Sequence, residues 1–519
     1  MSDWLPPLVI AHPRQAWWLD ASTAELDVEQ ADALPWKRAF ADLGAQEAGE
    51  VVNADEQRQV GHTWLRAPES ASTMGQAREI GETAEQVRAF AASVRRGEKF
   101  APNYLPFTDV IHIGIGGSAL GPMWLIDALA PDPDHDGPRR ALGLHFVDNT
   151  DPDGIARVLA QVGDDLATTL VVVVSKSGGT VETRNGLALV EEALVAAGQE
   201  LASRCIAITI EGSRLHTRAV EEEWMAVFPI WDWVGGRFSL TSAVGLVPAE
   251  LGGIDTARLL EGAREMDAWT RSTVWQENPA ALLAACWHGV GSGRGDKAMV
   301  VLPYRDRLSL FSRYLQQLVM ESIGKRLDRQ GAQVHQGLTV YGNKGSTDQH
   351  AYVQQLRDGR RDAFVTFVQV LDDGRGSSTP VLDGATAGDA LQGFLLGTRR
   401  ALVSEGRPCL TLTLPTVDAF VIGGLIALFE RAVCLYASLV DVNAFHQPGV
   451  EAGKRAAAEV LELSKSLQSA LHPKEWRTLP ELAERVSADP IEAWSVLEHL
   501  VATGRASRQG LTASGQYRQ

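Results

Sequence analysis

The chain has 519 residues, of which 45% are hydrophobic and 22% charged, and its formal net charge is −17. This length exceeds what one hydrophobic core usually organises, so it predicts about two or three domains and excludes a small single-domain protein. The acidic balance argues against non-specific binding to nucleic acid or anionic lipid, and we expect neither as a partner.

The cysteine pattern and the first residues indicate the compartment. Four cysteines lie in apolar runs without disulfide-motif or metal-ligand spacing: Cys205, Cys286, Cys409 and Cys434. They predict free thiols in a reducing compartment, and hence a cytoplasmic protein. Residues 1–10 contain Asp3 and two prolines where a secretory signal has a basic region and an apolar stretch. No stretch has about twenty uninterrupted apolar residues, so we expect no membrane span.

Residues 1–85 are predicted to form an N-terminal helical arm, because Ala, Glu, Gln and Arg recur there and onward at helical spacing, as in residues 80–94. No catalytic residue stands out in this region.

Two α/β domains are predicted next, at residues 86–290 and 291–470. Short β-branched runs alternate with helical stretches in both, which is typical of doubly wound parallel sheets with crossover helices. The runs occupy residues 110–115, 144–147, 170–174 and 206–210, then 298–302, 338–341, 363–371 and 409–414.

Residues 471–519 are predicted to form a small helical module, with helices near 479–486 and 491–502. The segment has about the size of a winged-helix module. Its basic residues are sparse, which is a weak signal for nucleic-acid binding. A helical cap with a polar tail is the favoured interpretation.

A glycine-rich turn follows the first predicted strand. Residues 114–121 read GIGGSALG at a strand-to-helix turn, where backbone N–H groups and a helix N-terminus can approach an anion closely. Gly114, Gly116 and Ala119 also fit the dinucleotide fingerprint, and the next strand ends in an acid, Asp148. This turn alone leaves a nicotinamide enzyme and a phosphate site open.

The second turn, residues 175–180, reads SKSGGT and follows the strand at 170–174. Hydroxyls, one ammonium group and a run of N–H groups meet there at the carboxyl end of a strand, where open α/β sheets bind ligands. Walker spacing is absent, so a small phosphate monoester is favoured over a nucleoside triphosphate. A turn that only caps the next helix is the alternative.

Two residues are candidates for acid–base and electrostatic chemistry. Arg237 lies between two glycines and Phe238, which leaves its guanidinium room to face a ligand, although an ordinary surface ion pair has equal support. Glu321 lies on a predicted helix, 308–327, one turn from Gln317 and on the same face. Lys325 follows four residues later, so a solvent-exposed Glu321–Lys325 ion pair is the competing interpretation.

The last two candidates are a histidine and a lysine at helix starts. His350 ends the polar stretch GNKGSTDQH, where it can transfer protons near neutral pH. Lys454 lies about two turns into a helix that begins at Pro448-Gly449. Taken singly, His350 is equally well explained as a helix cap, and Lys454 as a surface lysine.

Together these segments resemble phosphoglucose isomerase, in the order of that family from about residue 110 to 454. Residues 232–245, centred on GGRFS, and residues 437–454, ending in FHQPGVEAGK, match the family signatures without a gap. The resemblance implies two doubly wound sugar-isomerase (SIS) domains and a homodimer whose active sites are shared between subunits. It also implies the interconversion of glucose 6-phosphate and fructose 6-phosphate through a cis-enediolate, a step of glycolysis and gluconeogenesis.

The resemblance implies a role for each candidate residue. Glu321 becomes the base that moves a proton between C1 and C2, and Arg237 faces the enediolate oxygens. His350, from the partner subunit, and Lys454 assist ring opening. The residues expected to contact the sugar or its phosphate are Gly117, Ser118, Ser175, Lys176, Ser177, Thr180, Gln317 and Gln447. The chemistry needs a base and a cationic partner for the enediolate, so we expect neither a metal nor a cofactor.

Three departures from the family pattern are visible. The phosphate turn is a short Gly-Gly form with fewer hydroxyls, His446 stands where Asp or Asn is more usual, and residues after His472 have no assignable counterpart. A dual phosphoglucose/phosphomannose isomerase is the nearest alternative activity. A non-catalytic sugar-phosphate sensor is disfavoured, because a sensor does not need Glu321, His350 and Arg237 together.

Overall fold

The structure, a computed structural model, describes residues 6, 8–131, 141–376, 378–381, 383–511 and 514–519. Within it, the chain divides into two units, Met1–His446 and Gln447–Gln519, each of which is described by itself. The domain boundaries expected at residues 85, 290 and 470 stay predictions.

The N-terminal segment contains three helices, as predicted, but less than half of it is helical and it also contributes two strands. Asp27 and Thr73 start two of the helices by accepting hydrogen bonds from the backbone N–H groups of Gln30 and Gln76. The elements are β1 (Val9–Ala11), β2 (Trp18–Thr23), α1 (Val28–Asp32), α2 (Trp36–Glu47) and α3 (Met74–Arg95).

The first sheet has five parallel strands in the order β4-β3-β5-β6-β7. Its elements are β3 (Asp109–Ile113), α4 (Leu120–Leu129), β4 (Gly143–Val147), α5 (Pro152–Val162), β5 (Thr169–Val174), α6 (Val181–Ala196), β6 (Cys205–Thr209), α7 (Arg214–Glu221) and β7 (Ala226–Pro229). Because β3 lies between β4 and β5, the chain reverses its direction of winding there. Ligands bind at such a switch point, outside the carboxyl ends of the strands.

Three helices connect the two sheets: α8 (Ala243–Leu251), α9 (Thr256–Trp269) and α10 (Pro279–Val290). Every residue of α8 is buried. Helix α8 therefore lies inside one hydrophobic core, which residues of both sheets share.

The second sheet contains four parallel strands in the order β13-β12-β8-β11. This part of the chain comprises β8 (Ala298–Pro303), α11 (Phe311–Leu315), β9 (Lys325–Leu327), β10 (Gln333–Gln336), β11 (Val340–Tyr341), α12 (Val353–Asp358), β12 (Ala363–Val370), α13 (Ala387–Val403), β13 (Cys409–Leu414) and α14 (Ala419–Leu439). Strands β9 and β10 form a separate antiparallel pair. The predicted pair of α/β halves with parallel sheets is confirmed.

The N-terminal strands extend this second sheet. Strand β2 pairs antiparallel with β13, with Leu19 opposite Leu412, and β1 pairs antiparallel with β2. Leu19 and Ala21 are fully buried, so the alternation of a strand is present in the sequence. Sequence analysis misses this strand because the alternation spans only six residues beside long helical stretches.

Helix α14 runs through the core of the first unit. It is long and apolar enough to cross a membrane, but 83% of its most apolar window is buried inside the protein. A side chain at Gly423 would place its Cβ 1.8 Å from the Leu259 carbonyl oxygen, so the glycine allows close packing against α9. Buried Glu430 binds Arg66, which also donates to Asp267 at 2.6 Å. These features describe a core helix with an internal ion-pair network.

The second unit is a small helical module with an added sheet. Its elements are α15 (Pro448–Ala470), β14 (Arg477–Thr478), α16 (Leu479–Val486), α17 (Pro490–Ala502), β15 (Ser507–Gln509) and β16 (Gln516–Arg518), with strand order β14-β16-β15. Leu482, Leu497, Leu500 and Tyr517 form its own core. The order helix, strand, helix, helix, strand, strand is that of a winged-helix fold. Residues 447–519 contain nine Lys or Arg and nine Asp or Glu, so the unit has no excess of positive charge.

Candidate active site

Two glycine-containing loops meet at the switch point of the first sheet. The turn after β3 forms a short 3-10 helix, Gly116–Ser118, and a second one, Gly236–Phe238, lies against it. A Cβ on Gly117 would lie 2.1 Å from the Gly236 carbonyl oxygen and 3.0 Å from the Arg237 nitrogen. Only glycine permits this approach, and it places the backbone of Arg237 beside the turn after β3.

Glu321 lies at the end of a π-helical turn, Gln316–Glu321, that continues α11. Gln317 Nε2 donates to Glu321 Oε2 at 3.1 Å. The same Gln317 nitrogen lies near the turn after β3, because a Cβ on Gly116 would be 3.2 Å from it. Gln317, Glu321 and the glycine turn therefore lie close together. The helix predicted over residues 308–327 is shorter, because Gly324 ends it and residue 325 begins β9.

Arg237 is the cationic partner of Glu321. Its Nη1 lies 3.2 Å from Glu321 Oε2, while the Arg237 side chain is 2% exposed and the Glu321 side chain 21%. Its Nη2 donates to the carbonyl oxygens of Ala444 at 2.6 Å and His446 at 3.2 Å. Burial lowers the pKa of the guanidinium, and the carboxylate of Glu321 opposes that shift. The interpretation of Arg237 as a surface ion pair is wrong, because its fork is fixed inside the protein by three acceptors.

The serine-rich turn after β5 has a fixed internal geometry. Ser175 Oγ and Thr180 Oγ1 lie 3.1 Å apart, and the Gly178 backbone N–H donates to Ser175 Oγ at 3.1 Å. The Gly179 N–H donates to Ser177 Oγ at 3.2 Å. Ser175 is buried and Ser177 is exposed. The turn thus gathers hydroxyl and N–H groups next to the turn after β3, as β3 and β5 are neighbouring strands.

The ammonium group of Lys176 binds backbone carbonyls of another loop. Its Nζ donates to the carbonyl oxygens of Asp232 at 2.8 Å and Val234 at 2.9 Å. Burial lowers its pKa to about 8, and the charge of nearby Arg58 acts in the same direction. Lys176 therefore connects the serine-rich turn to the loop that precedes Arg237, a contact that spacing along the chain does not predict.

Lys325 is buried, with 4% of its surface exposed, and does not form the exposed ion pair with Glu321 that helical spacing allows. Its Nζ donates to the backbone carbonyl oxygens of Glu321 and Ser322, each at 2.7 Å. The Glu321 carboxylate is instead paired with Arg237. The competing interpretation of Glu321 as a surface salt-bridge residue is therefore wrong.

The remaining candidates are not joined to Glu321 within the described residues. His350 is exposed at the end of a 3-10 helix, Thr347–His350, and no described hydrogen bond or ion pair links it to Glu321 or Arg237. Ser118 accepts a hydrogen bond at its carbonyl oxygen from His112 Nε2 at 2.7 Å. Gln447 and Lys454 belong to the second unit, and the side chain of Lys454 lies outside the described residues.

Sequence reasoning missed residues 53–55 of the N-terminal region, which contact the segment that holds Arg237. Asn443 Nδ2 donates to Asn53 Oδ1 at 3.0 Å and to Asp55 Oδ2 at 2.5 Å. Asn443 immediately precedes the carbonyls that bind Arg237, and Asp55 lies 3.7 Å from His446 Nδ1. Nothing in the composition of the N-terminal region marks this segment, because its polar residues are those of an ordinary loop.

The geometry combines three chemical capabilities. A partly exposed carboxylate can accept and return a proton, and a fixed guanidinium next to it can stabilise an oxyanion. A hydroxyl-rich turn at the same sheet edge can bind a dianion. These are the requirements of a proton transfer between adjacent carbons of a phosphorylated hydroxy-carbonyl compound.

Comparison with known proteins points to one family. The family model for phosphoglucose isomerase matches residues 37–380 and 396–475. A glucose-6-phosphate isomerase from Synechococcus sp. (strain JA-3-3Ab) is 53% identical over 97% of this chain and 94% of its own length. A glucose-6-phosphate isomerase from Citrifermentans bemidjiense is 54% identical over 90% of this chain and 88% of its own.

Solved structures agree with this assignment. The crystal structure of a glucose-6-phosphate isomerase from Chlamydia trachomatis matches with a TM-score of 0.76 and 28% identity, over 86% of this chain and 89% of that one. A hypothetical protein from Thermus thermophilus matches with a TM-score of 0.67 and 30% identity, over 84% and 99% of the two chains. With the family model and these relatives covering most of its length, the chain belongs to the phosphoglucose isomerase family.

Proposed function

We propose that this protein interconverts glucose 6-phosphate and fructose 6-phosphate through a cis-enediolate, with Glu321 as the base. The observation that carries the proposal is the convergence of Arg237 Nη1 and Gln317 Nε2 on one oxygen of Glu321, at 3.2 and 3.1 Å. The relatives named glucose-6-phosphate isomerase support the choice of substrates.

The Glu321 carboxylate would take the proton from C2 of the open-chain aldose and return it to C1. Loss of the C2 proton leaves one negative charge on the cis-enediolate, shared between O1 and O2. The hydroxyl proton passes from O2 to O1, so that C2 ends as the carbonyl carbon and C1 as the alcohol when C1 takes up the proton. Arg237 can stabilise that charge at little reorganisation cost, because the carbonyls of Ala444 and His446 already fix its position.

The phosphate group would bind at the turn after β5. The hydroxyls of Ser175, Ser177 and Thr180 supply donors, and charge-assisted hydrogen bonds to a dianion are about twice as strong as neutral ones. Gly117 and Ser118, in the turn after β3, would contact the sugar. Lys176 acts in this scheme by connecting the phosphate turn to the Arg237 loop.

Ring opening requires proton transfers at a different part of the sugar, and we assign these to His350 and Lys454, with Gln447 as a further substrate contact. His350 is exposed in its own chain, which suits a residue that completes the site of a partner subunit. The active form would then be a homodimer. Four buried, free cysteines support a reducing, cytoplasmic location.

The proposal is tested by isomerising fructose 6-phosphate in heavy water. A carboxylate that carries the proton between C1 and C2 exchanges part of it with solvent, so the product glucose 6-phosphate should carry a fraction of deuterium at C2. Product with no deuterium at all would favour a direct hydride shift and contradict the role of Glu321. Failure to form glucose 6-phosphate would contradict the activity itself.

A further inference from the structure

A buried lysine, Lys325, binds the backbone of the proposed base, Glu321. Lys325 begins strand β9, and its backbone pairs with Gln336 of β10. From this strand its ammonium group reaches back to the last turn of the preceding helix. There it donates to the carbonyl oxygens of Glu321 and Ser322, each at 2.7 Å.

The helix end at Glu321 needs such a donor. The last carbonyl oxygens of a helix have no hydrogen-bond partner within the helix. This helix ends at Gly324. The Gly324 N–H donates to the Met320 carbonyl oxygen at 2.8 Å, so it does not serve the two carbonyls that follow. Lys325 supplies hydrogen bonds to both of them from a side chain that is itself buried.

We propose that Lys325 is a positioning residue, which fixes the backbone of Glu321 so that its carboxylate faces the substrate carbons and Arg237. This inference rests on the proposed role of Glu321 as the base. Lys325 touches neither the Glu321 carboxylate nor the anion-binding turns in the described contacts, so it acts through the backbone that carries the base. A displacement of about 1 Å at a reacting group can cost about 100-fold in rate.

The charged and titratable groups around Lys325 are Arg237, Glu321, Asp55 and His446. Burial lowers the pKa of Lys325 to about 7, with Arg237 acting in the same direction and Glu321 and Asp55 opposing it. A neutral amine still has two N–H donors, and both carbonyl contacts need only one each. The positioning role therefore persists on both sides of neutral pH, unlike a role that depends on the charge of the ammonium group.

The test compares Lys325→Met with Arg407→Met. Methionine has similar length but no donor. Arg407 is also a buried cation whose guanidinium donates to carbonyls at the end of a helix, those of Arg357, Gly359 and Arg360, but none of these belongs to the site. Both variants should lose thermal stability. Only Lys325→Met should lose kcat, by about 10- to 100-fold, with KM within about threefold of wild type.

Two further readouts separate positioning from general stability. The isotope effect with glucose 6-phosphate deuterated at C2 should increase in Lys325→Met, because a misplaced base makes proton transfer slower than the other steps. The loss of kcat should be similar at pH 6 and pH 8.5. A kcat within twofold of wild type, a change in KM alone, or a loss confined to low pH would each overturn the proposal.

A Lys325→Gln variant, whose NH2 donor is carried on a shorter side chain that cannot reach both carbonyls, keeps the proposal testable if the methionine variant does not fold. It should lower kcat at least fivefold at an unchanged KM, and a wild-type kcat would overturn the proposal. Glu321→Gln is measured in parallel. If Glu321→Gln is inactive while the Lys325 variants are normal, only the positioning role fails. If Glu321→Gln is fully active, the base assignment fails as well.

Discussion

Replacing Glu321 by glutamine removes the basic carboxylate and keeps a side chain of nearly the same shape. The variant should lower kcat by about 10² to 10⁴, or about 3 to 5 kcal/mol in activation free energy, which is the usual worth of a positioned general base. KM should change little, because the hydroxyl-rich turn that is proposed to bind phosphate lies on a different loop.

The effect of this substitution on the free energy of unfolding follows from the contacts of Glu321. Its Oε2 accepts from Gln317 and lies 3.2 Å from Arg237 Nη1, and a glutamine oxygen can replace it as acceptor. Arg237 loses an opposite charge but keeps its two carbonyl acceptors at Ala444 and His446. We expect a loss of about 1 to 3 kcal/mol in the free energy of unfolding, which leaves the protein folded.

Turnover is measured by coupling glucose 6-phosphate formation to NADP reduction, alongside thermal unfolding. Glu250→Gln is the matched control. Glu250 is buried, accepts from Thr256 Oγ1 at 2.6 Å, and lies 3.5 Å from Arg95 Nη2, away from the site. The control should lose stability and keep kcat. Turnover of Glu321→Gln within tenfold of wild type would refute the assignment of Glu321 as the base.

The structure supports four other predictions. Replacing Ser177 and Thr180 by alanine should raise KM at an unchanged kcat, because each hydrogen bond to a charged phosphate is worth roughly 1.5–3 kcal/mol; an unchanged KM would place the phosphate elsewhere. Inactive His350→Ala and Arg237→Ala chains should regain activity when refolded together, since a mixed dimer holds one intact site; no recovery in verified mixed dimers would place His350 in its own chain's site. Activity should survive excess EDTA, because the chain itself supplies the base and the cation; a loss reversed by added metal would contradict this. Burial lowers the pKa of His112 from 6.5 to about 4, so its contribution to the free energy of unfolding is full above pH 6.5 and is lost as pH falls to about 4, by about 3 kcal/mol at most. In urea unfolding, His112→Gln should show a smaller fall over this range than wild type, and the fall that is left comes from other buried histidines such as His62, whose pKa burial also lowers; an equal fall in both would contradict this.

The parts of the candidate site that follow from the sequence lie at strand ends or on one face of a helix. The turns at Gly117 and Ser177 follow β3 and β5, and parallel strands bring their carboxyl ends to one edge of a sheet, so neighbouring strands are enough to bring the turns together. Glu321 and Gln317 share a helix face by spacing alone. In each case local pattern and sheet topology determine the geometry.

The parts that the sequence does not predict depend on burial and on distant contacts. Spacing places Lys325 one turn from Glu321, but only packing shows that it is buried and binds backbone carbonyls. Asp55 and Asn443 are 388 residues apart in the chain, and no periodicity connects them. Strands β14 to β16 have two or three residues each, too few for alternation to appear.

The N-terminal hairpin places a constraint on how the chain folds during synthesis. All strands of the first sheet lie within residues 109–229, so this sheet can assemble while the rest of the chain is still being made. Strand β2, synthesised earlier, pairs with β13 at residues 409–414 and must wait for about 390 further residues. Until then its apolar residues Leu19 and Ala21 lack their final partners, and the edge of β2 that will pair with β13 is uncovered. Completion of the second sheet should therefore be a late, aggregation-sensitive step, at which a nascent-chain chaperone would have most effect.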